Sequence, residues 1–187
     1  INEPTAAALC YGCGRGEHKH VLVFDLGGGT FDLSLIKIDG DIFDVVAVGG
    51  NIFLGGIDFD RKLVELVSKN LQAARGGFLG LDDVGRERLR GACQEAKHAF
   101  STQTRVVVEI PNFTLSDGTR IDVSVPVTRA DFDAACKSLV DECMYAVSDV
   151  LMDAGKTPDE LDDILLVGGS TRLTSINKAL RDMFGKE

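Results

Sequence analysis

The sequence predicts an α/β fold, with a mixed sheet whose centre is an antiparallel three-stranded meander, helices against it, and an inserted smaller α+β subdomain. Three observations carry this. Short apolar runs at 21–26, 30–38 and 42–48 are joined by glycine-containing turns, as in a meander. Long stretches further on keep apolar residues at helical spacing. A second pair of strand-like runs, 106–110 and 121–125, sits among those helices around Asp117-Gly118, a strong turn signal. At 187 residues the chain suits one medium domain or two small lobes and can bury a core.

Taken in order, residues 4–11 predict a short helix, with Pro4 near its start and Gly12 as its stop. Residues 12–20 read as a polar loop. Val21 to Leu26 is a nearly continuous apolar run broken only by Asp25, the pattern of a buried strand. After Gly27-Gly28-Gly29, Phe31, Leu33 and Leu35 alternate with Asp32 and Ser34. Asp39-Gly40 then turns the chain into a third strand, 42–48. Phe59, Leu63, Leu66, Val67 and Leu71 predict a helix ended at Gly76-Gly77. A helix over about 82–101 places Leu89, Ala92, Cys93, Ala96 and Phe100 inward. Thr128 and Asp131 resemble a capping box that opens a long helix, striped by Phe132, Cys136, Leu139, Val140, Cys143, Val147, Val150 and Leu151 and ended by Gly155. Thr157-Pro158-Asp159-Glu160 starts a short helix. Residues 164–167 form a short buried strand, and Gly168-Gly169-Ser170-Thr171 leads into a last helix using Leu173, Ile176, Leu180 and Phe184. Two subdomains follow: a core of 1–54 with 128–187, and an insert at 55–127.

Composition narrows the function classes. Hydrophobic residues at 44% and charged residues at 26% are ordinary for a globular chain. A net charge of −9 argues against a nucleic-acid surface, yet backbone amides and a metal can still bind phosphate locally. No apolar run reaches the ~20 residues of a membrane helix. Ile1-Asn2-Glu3-Pro4 carries neither an initiator methionine nor a signal peptide, so the expectation is an internal segment of a longer chain. Five cysteines, an odd number with several in helical stripes, point to a reducing, intracellular compartment; the expected setting is cytoplasmic, with an organelle lumen or matrix as the alternative. Cys10 and Cys13, with His18 and His20 downstream, offer zinc ligand types. Their spacing is tighter than a finger's and no second Cys-x-x-Cys exists, so the plain reading is preferred.

Chemistry concentrates in Phe24-Asp25-Leu26-Gly27-Gly28-Gly29-Thr30-Phe31-Asp32. Three glycines permit positive φ and let the backbone approach a ligand with no Cβ in the way. Their amides can donate to phosphate oxygens. A two-residue turn at Gly28-Gly29 places Asp25 directly across from Asp32, and like charges so placed call for a cation. Magnesium shared with phosphates answers both requirements. The plain alternative is a tight hairpin with two exposed acids. Asp25 opposes it by interrupting a buried run, because a lone buried carboxylate costs several kcal/mol. Strand rather than helix follows the glycines, so this is neither a dinucleotide fingerprint nor a Walker loop.

Two weaker signals accompany it. Leu166-Val167-Gly168-Gly169-Ser170-Thr171-Arg172 is strand, glycine turn and helix start, a place that attracts anions but that also occurs with no ligand. Gln94, Lys97, His98 and Ser101 share one helix face at spacings of three, four and seven. A polar helix face is ordinarily just solvated.

These segments together resemble the DnaK-type seventy-kilodalton heat-shock chaperones. Asn2-Glu3-Pro4-Thr5-Ala6-Ala7-Ala8, FDLGGGTFD at 24–32, LGG-x-DFD at 54–60 and VGGSTR at 167–172 occur in that family's order, across essentially the whole chain. The resemblance implies lobe II of a nucleotide-binding domain with the actin-like ATPase (ribonuclease H-like) fold, in a chaperone that couples ATP turnover to binding of unfolded polypeptides. It implies ATP or ADP, Mg2+ and a potassium ion as cofactors. Glu3 would position the attacking water, Asp25 would contact the magnesium shell, and Thr30 would lie beside the γ-phosphate. Gly27, Gly28 and Gly29 would surround the phosphates, and Asp32 would help hold a cation, mostly through water. Gly168, Gly169, Ser170 and Arg172 would line the adenosine, with Gln94, Lys97, His98 and Ser101. Gln94 stands where the family often has glutamate, His98 where some members stack an arginine, and Ile57 where an acid is usual.

The family's first lobe brings another phosphate loop and a catalytic lysine, and neither motif occurs in these residues. Phosphoryl transfer needs both walls, so little ATP hydrolysis is expected of this segment alone. The family's nucleotide-exchange factors grip the subdomain corresponding to 55–127, which makes an interaction module the alternative. J-domain co-chaperones and client peptides would act through the parent protein, with no nucleic acid or membrane involved. Another actin-fold enzyme, such as a sugar kinase, is opposed by Asn2-Glu3-Pro4-Thr5-Ala6-Ala7-Ala8.

Overall fold

The computed structural model describes Ala6, residues 18–77 and residues 80–185. Apart from Ala6, the helix expected at 4–11 lies outside the described residues, as do Glu3, Cys10 and Cys13. The chain divides into two compact units. One combines the residues up to Gly56 with those from Leu139 onward, and the other is Ile57–Ser138.

The first unit is built on a four-stranded mixed sheet in the order β3-β2-β1-β6. Strands β1 (His18–Leu26), β2 (Phe31–Asp39) and β3 (Ile42–Asn51) form the expected antiparallel meander, and β6 (Asp163–Val167) adds parallel to β1. Strand β1 starts at His18, inside what reads as a polar loop, because backbone pairing reaches His18↔Asp39 and His18 Nδ1 lies 2.6 Å from an Asp39 carboxylate oxygen. Strand β3 likewise runs past Val48 to Asn51, pairing Gly49 and Gly50 with Leu33 and Asp32. Ladder hydrogen bonds do not depend on side-chain hydrophobicity, so hydropathy understates both strands.

Val21, Val23, Ile36 and Ile38 are buried on one sheet face, with Phe43, Leu165 and Val167 packed against them. On the other face Phe24 and Phe31 lie 4.6 Å apart at a 52° tilt. Each such side chain contributes about 2 kcal/mol by leaving water. Strand β6 is half-buried rather than buried, with Leu166 41% exposed, since among the described residues it is a sheet edge. The short helix expected at Thr157 is a single 3₁₀ turn, Pro158–Glu160, in which the Glu160 carboxylate accepts the Thr157 N–H at 2.8 Å.

The second unit holds α1 (Gly56–Arg75), α2 (Asp83–Ala99) and the hairpin of β4 (Arg105–Thr114) and β5 (Arg120–Thr128). Phe59, Leu63 and Val67 recur every four residues and are fully buried on α1. Helix α2 is capped by Asp82, whose carboxylate accepts the Gly85 N–H at 2.7 Å. Phe100 stacks on Phe132 with ring centres 5.4 Å apart. The hairpin is longer than expected because it passes through a bulge between Ile110 and Phe113. There Arg88 donates to the carbonyls of Pro111 and Asn112 at 2.6 and 2.9 Å, clamping the irregular strand.

Helix α3 (Arg129–Asp153) begins as the sequence indicates, with Thr128 Oγ1 accepting the Asp131 N–H at 3.1 Å. The division between the units falls inside it. Cys93, Cys136 and Cys143 are free and buried, and burial pushes each thiol up to about 12, so they serve as core side chains.

Candidate functional site

In the first unit the register pairs Leu26 with Phe31 and Asp25 with Asp32, and the Gly27 N–H donates to the Thr30 carbonyl at 3.0 Å. The tip is therefore Gly28-Gly29, and the two acids stand opposite each other on one sheet face, as the sequence requires. On that face of β1 Asp25 directly follows Val21 and Val23, both buried. Asp25 is half-buried, while Gly28, Gly29, Thr30 and Asp32 are exposed.

None of the three hairpin glycines adopts the left-handed φ that the sequence argument allowed. Among the described residues a Cβ at Gly28 or Gly29 would meet nothing within 4 Å, so neither their backbone conformation nor packing against those residues demands glycine there. What the absent side chains leave is open space over two backbone amides, which suits the close approach of a phosphate.

The residues around the hairpin behave in the opposite way. A Cβ on Gly55 would come within 2.6 Å of the Gly28 carbonyl oxygen and the Gly29 backbone. One on Gly168, held at φ +88°, would lie 2.3 Å from the Leu26 carbonyl oxygen and 2.9 Å from an Asp25 carboxylate oxygen. The LGG and VGG segments thus abut the hairpin main chain to main chain. Parallel pairing of Asp25 with Val167 delivers the second of them. The Gly27 carbonyl accepts twice, from the Gly56 N–H at 2.9 Å and from the Ser170 hydroxyl at 3.1 Å.

Past β6, Gly169–Arg172 forms a 3₁₀ turn, and helix α4 (Thr174–Phe184) starts only after Leu173. The glycine turn leads into the last helix as expected, but through this 3₁₀ turn rather than directly. Gly168, Gly169 and Arg172 are exposed, whereas Ser170 and Thr171 are buried. Structure thus gathers Asp25, Gly27, Gly28, Gly29, Thr30, Asp32, Gly168, Gly169 and Ser170 into one neighbourhood.

The helix-face residues belong to the second unit, and the structure splits them. Lys97 is not on a solvated face. Its side chain is 7% exposed, with Nζ 2.8 Å from Asp60 Oδ1, and Asp60 is itself 4% exposed. Gln94 is half-buried and His98 exposed. Ser101 lies beyond the end of α2, its hydroxyl donating to the His98 carbonyl at 2.7 Å. Helical spacing sets direction around the axis but not the depth of the neighbouring helix, which is why Lys97 reads as solvated and is buried.

Asp60, Gly55 and the acceptor role of Gly27 escape sequence reasoning. A signal for Asp60 does exist: it follows Phe59 on the inner side of α1, where an acid needs a partner. Among the described residues no three His, Cys, Asp or Glu side chains cluster to hold a metal. Asp25 and Asp32 offer instead the one or two carboxylates that suit a magnesium ion whose other ligands are waters and phosphate oxygens. No described helix is long and apolar enough to cross a membrane.

A family model described as Hsp70 protein matches residues 1–187, the full length of the sequence.

Proposed function

Because the chain belongs to the Hsp70 family, a family of nucleotide-binding chaperone ATPases with the actin-like fold, we propose that these residues form lobe II of the nucleotide-binding domain and carry one wall of its ATP site. The observation that carries this reading is Asp25 facing Asp32 beneath a Gly28-Gly29 tip with open space over its amides. Asp25 and Asp32 would hold the magnesium and potassium ions, mostly through water. A bound Mg2+ neutralises phosphate charge as it develops. The Gly27–Gly29 backbone and Thr30 receive the phosphates, and Glu3 orients the attacking water. In the first unit Gly168, Gly169 and Arg172 would take the adenosine, and Gln94, Lys97, His98 and Ser101 are the second unit's candidate nucleoside residues.

In the parent protein this site would couple ATP turnover to binding of unfolded polypeptides, stimulated by a J-domain partner in a reducing, cytoplasmic setting. Residues 55–127 would receive an exchange factor. The 187 residues lack a second glycine-rich phosphate loop, so alone they bind nucleotide weakly and turn over little ATP. Calorimetric titration with Mg–ADP tests the reading. Affinity is expected to fall about tenfold or more on chelating Mg2+ or on Asp25→Asn, as for loss of a charge-assisted contact. Affinity indifferent to both changes would remove the site, and turnover approaching that of an intact nucleotide-binding domain would remove the claim of an incomplete active site.

A further inference from the structure

The Gly27 carbonyl and the Gly28 N–H belong to one trans peptide plane, so they point in opposite directions and turn together. The carbonyl is held from the protein side by two donors, the Gly56 N–H at 2.9 Å and the Ser170 hydroxyl at 3.1 Å. Both lone pairs are therefore engaged. With the oxygen drawn inward, the Gly28 N–H is directed outward to the exposed tip, where a Cβ would meet nothing.

Ser170 is itself fixed. It is 8% exposed, in a turn whose other hydroxyl, on Thr171, donates to the Gly168 carbonyl at 2.7 Å. The Thr171 carbonyl accepts from Asn177 Nδ2 at 2.7 Å, and the same amide group donates to Leu173 at 3.0 Å. Gly168 packs on Leu26 with no room for a side chain. A continuous set of bonds thus runs from the first turn of α4 through the Gly169–Arg172 turn to a single peptide of the hairpin.

We infer that Ser170 is a positioning residue: through the Gly27 carbonyl its hydroxyl orients the Gly28 amide as a phosphate donor and fixes the hairpin against the Gly168–Arg172 turn. The inference rests on the proposed nucleotide site and refines the family resemblance, which would have Ser170 line the adenosine. A hydroxyl bonded to Gly27 contributes to phosphate affinity without touching the ligand. A hydroxyl on the ligand contributes to nucleoside affinity instead.

Titration of the wild-type chain, Ser170→Ala and Ser170→Thr with adenosine and with Mg–ADP separates these roles, alongside amide exchange of the ligand-free proteins. Ser170→Ala is expected to weaken Mg–ADP about tenfold, the worth of one good hydrogen bond, and to leave adenosine unchanged, with Ser170→Thr restoring the affinity. The Gly56 amide, which shares the acceptor, should exchange about tenfold faster in Ser170→Ala, while the Val23 amide keeps its rate. Equal losses for adenosine and Mg–ADP would overturn the inference, as would Gly56 exchange unchanged from wild type. If the wild-type chain binds neither ligand while Gly56 exchange accelerates, the nucleotide reading fails and the coupling of turn to hairpin stands.

Discussion

The hairpin of the first unit and the α2 face of the second solve the same problem by different means. Around the hairpin, positions are fixed by main chain against main chain: Gly55 and Gly168 touch it where no Cβ fits, and Gly27 is held by two hydrogen bonds. On α2, Lys97 is fixed by a side-chain charge, the buried carboxylate of Asp60. The first arrangement should tolerate changes of charge and fail on adding a single carbon. The second should tolerate carbon and fail on removing charge.

The largest effect is expected on α2. Asp60→Ala removes the carboxylate that lies 2.8 Å from the buried Lys97 ammonium and should cost about 3 kcal/mol in urea unfolding. Replacing both partners, Asp60→Leu with Lys97→Met, should recover most of that loss, since a buried pair contributes little over a well-packed apolar pair. A single variant as stable as wild type would mean the pair is not buried in solution.

Next comes Gly168→Ala, where unfavourable φ and the Leu26 contact together should cost about 3 kcal/mol in unfolding free energy. Its counterpart inside the hairpin sharpens the contrast. Gly28→Ala has open space and no left-handed φ, so stability should change by less than about 0.5 kcal/mol while Mg–ADP affinity drops. A Gly28→Ala protein that binds as wild type would show that no phosphate approaches this backbone.

The smallest effect concerns Glu160, whose carboxyl is held below its ordinary value of 4.5 first by the Thr157 backbone N–H, then by Lys156 and the Thr157 hydroxyl. A depressed folded-state value stabilises fully above that ordinary value and loses its contribution as pH falls through the lower one. The Thr157 amide resonance should follow this titration from pH 4.5 downward. Glu160→Gln should flatten it.

How legible the site was differed with the kind of contact involved. Asp25 opposite Asp32 follows from a period of two and a two-residue tip, both local properties, and the structure reproduces it. Thr128 as a cap and Gly76 and Gly155 as stops are local too. The burial of Lys97 was hidden because its partner lies on another helix, and the edge position of β6 because an apolar run does not count its neighbours. The start of β1 at His18 was hidden because His18, Lys19 and His20 are polar, and hydropathy does not register strand pairing by polar residues.

By itself, the amino-acid order determined the element types, the meander, the pairing of the two acids and the family, since each depends on residues a few positions apart or on motifs in sequence. Only the folded chain decided why Gly55 and Gly168 must be glycine, what Ser170 donates to, and what neutralises Lys97. Those answers depend on which atoms meet between segments well apart in the chain, from Gly55 against Gly28 to Ser170 against Gly27, 143 residues away, and such contacts leave no periodic trace in the order of residues.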